Sequence, residues 1–269
     1  MNEIVKYDNY MNGLYFSNFK EKELDLLMTL CARMRDKDIT KVTFSFDELK
    51  KMSGYTGHNV EDFLNTISMT NDKLQKVACK IETDESIESF VLFPTYSIDK
   101  VNQMLTVRVN EDFKFVLNGI TKNFTRFELS EFVNLNGKYN KNLYRLLKQY
   151  KTTGVYQVSV EELRSKLDAP TSYNSKQFMQ NIINPSIKSL EQYFIDLKCE
   201  PQKAKKRGAP IIGYIFTFKP ETESKQKRRT EQAKESFMQN RKQNKNRFNQ
   251  FEQRNDVDMD ELEQMLLSN

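Results

Sequence analysis

A single histidine, His58, is all the imidazole this chain has. A His-rich metal site or a two-histidine nuclease centre therefore cannot be assembled from it. Cysteine is scarce as well. Cys31, Cys79 and Cys199 are odd in number, far apart and in no CxxC pair, so they read as buried thiols of a reducing cytoplasm. The eight glycines are scattered, and neither GxxxxGKS/T nor GxGxxG occurs, which argues against a P-loop ATPase and a Rossmann dinucleotide site. Apolar runs are short and broken by charge, too short to span a bilayer. The N-terminal stretch MNEIVKYDNYMNG lacks the apolar core of a secretory signal. What these absences leave is a cytoplasmic binding protein that works without catalysis, metal or cofactor.

What is present fits that reading. At 269 residues, 38% hydrophobic and 29% charged, the chain is long enough for two domains with modest cores. Its net charge of +5 is unevenly placed. Residues 1–137 carry 17 Lys/Arg against 21 Asp/Glu, whereas residues 138–220 carry 15 against 6. A stretch that basic attracts a polyanion, because each phosphate it neutralises releases condensed counterions.

From about Glu221 the regular apolar period stops, and Gln, Asn, Lys and Arg dominate. Such a tail buries too little apolar surface to offset its ordering entropy, so it is expected to be disordered or a loose helix. Its two parts differ in sign. Residues 225–254 hold ten basic and three acidic groups, and 255–269 hold five acidic and none basic. In that last part Val257, Met259, Leu262, Met265 and Leu266 fall near one helical face, which suits docking on a partner or a frayed terminal helix.

The rest reads as one sequence of elements written twice. In the first copy, Leu24, Leu27, Met28, Cys31 and Met34 mark a helix over about 19–35. A strand at 42–46, a short helix in DELKKM, a turn at SGYTG and a helix over about 58–75 follow. Strands are expected at 78–82, 90–93 and 105–109, then a short helix at 112–117. The second copy has a helix over 138–150, a strand at 155–158 and a helix at 159–167 opened by a capping-box pattern, Ser159 to Glu162. A turn around Pro170, a helix over 175–183 and strands at about 195–199 and 211–218 complete it. Pro185, with no amide donor, is expected to interrupt or restart the helix it sits in. The copies align at a nearly constant offset: Leu49 with Leu163, Phe63 with Phe178, Ile67 with Ile182. Helix, strand, short helix, turn, second helix and hairpin is the winged-helix order, with a helix-turn-helix inside it. The expected fold is thus α+β, with two tandem winged-helix domains at 1–121 and 122–220 and a polar tail over 221–269.

Three groups of residues in the basic half are expected to meet DNA. In the helix at 138–150, Tyr139, Leu143, Leu146, Leu147 and Tyr150 form an apolar face, and Lys138, Lys141, Arg145 and Lys148 lie opposite it. No acidic residue occurs from 138 to 151, so this row suits phosphate contacts. In the helix at 175–183, Phe178, Ile182 and Ile183 would face the core. Ser175, Lys176, Gln177, Met179, Gln180 and Asn181 are the candidates to read bases, since Gln and Asn pair with adenine and Lys approaches guanine acceptors. The loop with Lys203, Lys205, Lys206 and Arg207 sits where a wing would be. The first copy is net acidic and serves as a dimerisation surface, a secondary DNA contact or both. His58 is a surface residue of its turn.

The run NGKYNKNLYRLLKQY at 136–150 resembles the plasmid replication initiators of the Rep type that bind iterons. The resemblance takes in Phe124–Ser130, continues through VSVEELRSKLDAPTSYNSKQFMQNIINPSIKSL at 158–190 and ends on YIFTF at 214–218. It implies two winged-helix domains that bind repeated origin sites as monomers and repress their own promoter as dimers. It also implies melting of nearby duplex and recruitment of host replication proteins, with contacts at Lys176, Gln180 and the 203–207 loop. The tail after 220 has no counterpart in it. A rolling-circle nicking initiator would need a histidine pair that is absent. A dedicated winged-helix repressor with no replication role remains the alternative.

Overall fold

A computed structural model describes residues 3–35, 41–82, 85–111, 114–205 and 209–221. The chain divides after Glu221, and every described residue belongs to the first unit. The expectations for the 221–269 tail fall outside the described residues from 222 on.

The first winged helix is built on α2 (Glu21–Met34). Its N-terminus is held where the Glu23 carboxylate accepts from the Lys20 amide at 2.6 Å. Strand β2 (Lys41–Ser45) leads into α3 (Phe46–Met52), then α4 (Val60–Leu74). β5 (Thr95–Asp99) and β6 (Met104–Arg108) return to β2 as an antiparallel sheet in the order β2-β6-β5. Between α4 and β5 lies an extra hairpin, β3 (Ala78–Glu82) with β4 (Ile87–Val91). β4 begins three residues earlier than its apolar run suggests, and β5 has no strong apolar signal because it is a half-exposed edge strand. A helix α5 (Lys114–Leu117) closes this part.

The second winged helix repeats the plan. It comprises α7 (Lys138–Gln149), β8 (Val155–Ser159), α8 (Val160–Leu167), α9 (Ser175–Phe178), α10 (Asn184–Leu190), β9 (Lys198–Lys203) and β10 (Ile211–Thr217). Its sheet order, β8-β10-β9, is that of the first copy. The repeat extends to single capping residues. Ser45 caps α3 by accepting from the Glu48 amide, and Ser159 caps α8 by accepting from the Glu162 amide. Asn59 and Asn174 cap the next helix in each copy. Each helix before the turn stops on a left-handed residue, Gly54 at φ 61 and Asp168 at φ 53. Leu49, Leu163, Phe63, Phe178, Ile67 and Ile182, the pairs that set the offset, are all buried.

Four elements were not among those the sequence suggested. The N-terminal strand β1 (Ile4–Asp8) pairs antiparallel with β7 (Phe124–Glu128), more than a hundred residues away. A short helix α1 (Tyr10–Gly13) follows β1, and α6 (Leu129–Val133) follows β7. One hydrophobic cluster runs through both winged helices. Gly154 must stay a glycine where the second sheet starts: a Cβ there would sit 2.3 Å from the Phe218 carbonyl oxygen.

Candidate nucleic-acid interface

The helix expected to read bases runs from Ser175 to Leu190 without a break. Pro185 gives Asn181 no amide to bond, and the chain answers with a π-helical turn over Met179–Ile183 rather than an interruption. Asn174 locks the start: its side chain accepts from the Gln177 amide at 2.9 Å, and Gln177 Oε1 accepts from the Asn174 amide at 3.0 Å. Phe178, Ile182 and Ile183 are buried. Ser175, Lys176, Gln177, Gln180 and Asn181 are exposed and Met179 is half-buried. Gln177 is engaged in the cap, which leaves Lys176, Gln180 and Asn181 as the outward side chains with reach.

Arg164 of α8 holds this helix in place, a role the sequence did not single out. Its Nη1 donates to the Tyr173 carbonyl at 2.7 Å, one residue before the cap, and its guanidinium lies 4.6 Å from the Phe178 ring centroid. Phe178 packs in turn on Tyr214 of β10, with centroids 5.8 Å apart. Arg164 sits one turn before the end of its helix, where an arginine reads as an ordinary surface cation. The Asn174–Gln177 capping box has the same three-residue spacing as the Ser159-to-Glu162 pattern read from the sequence.

The wing follows. Lys203 and Lys205 are exposed, and the loop is closed by the Ala204 amide donating to the Pro210 carbonyl at 2.9 Å. Lys206 and Arg207 lie outside the described residues.

The cationic row of α7 is not at the surface, and here the expectation is corrected. Lys141 and Arg145 are fully buried and Lys148 nearly so. Lys141 Nζ donates to Asp25 Oδ1 of α2 at 2.6 Å and to the Phe132 carbonyl at 2.8 Å. Arg145 Nη1 donates to Asn12 Oδ1 at 3.1 Å, and its guanidinium stacks 4.7 Å from the Phe16 ring centroid. Lys148 bridges Glu131 and Glu221, each at 3.3 Å. Lys138 is half-buried and bound to Asp168 at 2.6 Å. The cause is position: α7 is the helix of the second winged helix that packs against the first, so Lys141 and Arg145 on its polar face meet α2 and α1 rather than water. The acceptors come from distant sequence, which is why a window free of acid looked solvent-facing.

In the first winged helix, the exposed face of α4 shows Glu61, Asp62, Asn65, Ser68 and Met69, and His58 is exposed. The β5–β6 tip is held by Asp99 Oδ1, which accepts from the amides of Val101 and Asn102 at 3.0 and 2.9 Å. These bonds hold the Asp99 carboxyl below its usual range. Cys31 and Cys199 are free thiols whose burial pushes each up to about 12. Among the described residues, no cluster of His, Cys, Asp and Glu could hold a metal, and no helix is long and apolar enough to cross a membrane.

Two three-stranded wings, two helix-turn-helices and one shared core define a tandem winged-helix protein. The chain belongs to the replication initiator proteins, since residues 4–148 match the family model "Initiator Replication protein, WH1" and residues 159–218 match "Initiator Rep protein, WH2". It is 36% identical over 227 residues to a probable replication protein rep of Bifidobacterium longum (strain NCC 2705), covering 82% of this chain and 74% of that protein. Its fold is also that of the Pi initiator protein, solved in complex with iteron DNA. That match has a TM-score of 0.62 at 13% identity and covers 82% of this chain and 99% of the other.

Proposed function

We propose that the chain starts plasmid replication by binding direct repeats of duplex DNA at the origin, and that it represses its own promoter through the same contacts. The observation that carries this reading is the exposed row Lys176, Gln180 and Asn181 on a helix whose start is locked by Asn174 and Arg164, beside a wing with exposed lysines. A rigid helix with a polar N-terminal face is the form that enters a major groove. Crystallisation of the Pi initiator with iteron DNA supports carrying that ligand class over to a chain of the same fold. In this reading residues 122–220 grip the main part of the repeat through Lys176, Gln180 and Asn181, flanked by Ser175 and Met179, with Gln177 holding the start of the helix. Lys203, Lys205, Lys206 and Arg207 track the backbone. Residues 1–121 make a secondary contact through α4 and pair with a second copy at the promoter. The tail engages host replication proteins.

The test is fluorescence anisotropy of the full chain on duplex from upstream of its own gene, against a shuffled duplex, at several salt concentrations. A preference of about a thousandfold or more for the native duplex is expected. Equal affinity with a steep salt slope would mark a non-specific basic binder and end the initiator reading.

A further inference from the structure

The buried cations of α7 join the two winged helices at several points. Lys141 meets Asp25 in the interior, each side chain fully buried. Arg145 reaches Asn12, whose Nδ2 donates to Thr125 Oγ1 at 2.8 Å and to Gln149 Oε1 at 2.9 Å. At the rim, the Gly137 amide donates to Glu21 Oε2 at 2.7 Å, and Asp168 Oδ2 takes both Lys138 and the Asn18 amide.

Stability is a poor explanation for this network. Desolvating a buried ion pair costs about as much as its attraction returns, and apolar replacement is often neutral or stabilising. This network is also incompletely satisfied: Asp25 Oδ2 and Arg145 Nη2 have no hydrogen-bond partner. What a buried pair supplies is register. A contact made of Leu and Ala side chains tolerates sliding, whereas an interior ammonium is satisfied only opposite its carboxylate. Helix α2 carries α4 packed against it, and α7 carries α10, the continuation of the base-reading helix. The α2–α7 register therefore sets how far apart the two candidate reading helices stand.

We propose that the Asp25–Lys141 pair, with the Arg145–Asn12 bond, fixes the spacing between α4 and the helix at 175–190, and through it the length of DNA site the protein accepts. The inference rests on the duplex-binding reading above. A slip of one helical turn moves α2 against α7 by about 5.4 Å, and one base-pair step is about 3.4 Å, so a slip corresponds to one or two base pairs. Asp25 and Lys141 are positioning residues here, far from any base.

The experiment uses the full chain and the repeat it protects in a footprint, with zero, one or two base pairs inserted at the centre of the protected region. Wild type is expected to lose about tenfold or more in affinity per insertion. The Asp25→Leu, Lys141→Met double variant, shown folded by circular dichroism, should bind the native repeat within about threefold of wild type and lose less than about threefold on insertion. A purely structural role would change the two affinities together and leave their ratio alone. A wild-type insertion penalty retained by the variant overturns the proposal, and so does a wild type indifferent to insertion. Should the double variant not fold, Asp25→Asn with Asn12→Ala replaces it, removing the charge of the pair and the acceptor of Arg145, and an insertion penalty unchanged from wild type overturns the proposal equally. Failure of the underlying reading looks different, because wild type would then bind native and shuffled duplex alike.

Discussion

Burial pushes the Asp25 carboxyl up to about 7, against the opposing pull of the Lys141 ammonium at 2.6 Å and of Lys22 at 3.7 Å. Glu21 adds a smaller push in the same direction as burial, and the same desolvation drives Lys141 down. The folded chain therefore keeps a proton on Asp25 between about pH 4 and 7 that the unfolded chain has lost. This contribution to stability is full below about pH 4 and is lost as pH rises through about 7, with a slope of at most about 1.4 kcal/mol per pH unit. Urea unfolding across that range should show the slope in wild type and a flatter profile in Asp25→Asn. An identical slope in both would place the titration elsewhere. That α2, which carries Asp25, would pack into the core was legible from the spacing of Leu24, Leu27, Met28, Cys31 and Met34. That the counter-charge of Asp25 would come from residue 141 was not, because only long-range packing brings α2 and α7 together.

At the scale of elements, the proposed function assigns reading and holding to different parts of the second winged helix. The helix at 175–190 offers Lys176 and Gln180 from a rigid start, whereas the wing offers Lys203 at the end of strand β9 and Lys205 in the loop that follows. Lys176→Ala with Gln180→Ala should cut discrimination between native and shuffled duplex by about tenfold or more, at about 1–3 kcal/mol per lost base contact. Lys203→Ala with Lys205→Ala should instead weaken both duplexes alike and lower the salt slope by about two. The pair of results is read from anisotropy titrations, and interchangeable effects would sink the division of labour. The helical period of Phe178, Ile182 and Ile183 was enough to orient this helix, because core and surface alternate with the backbone's own geometry. The same logic failed for α7. A helix packed on both sides has no solvent face for its cations to occupy, and amphipathic spacing cannot distinguish a second protein layer from water.

For the whole molecule, the charge separation of the tail gives a prediction independent of the winged helices. Deleting residues 255–269 should leave origin-repeat affinity within about twofold, since these residues add five acidic groups and no cation, and should impair plasmid maintenance in cells. Normal maintenance would reduce the terminal segment to a tail without a partner. The sequence by itself determined the repeated winged-helix order, because local capping, the turn residues and the apolar period are encoded within windows of a few residues. Even the capping pairs Ser45 with Ser159 and Asn59 with Asn174 keep the offset that the core residues set. Only the tertiary structure decided the pairing of β1 with β7, the burial of Lys141 and Arg145, and the joining of two winged helices around one core. Those depend on which surfaces meet across more than a hundred residues of chain, and the burial of a charge is set by what packs over it rather than by its neighbours in sequence.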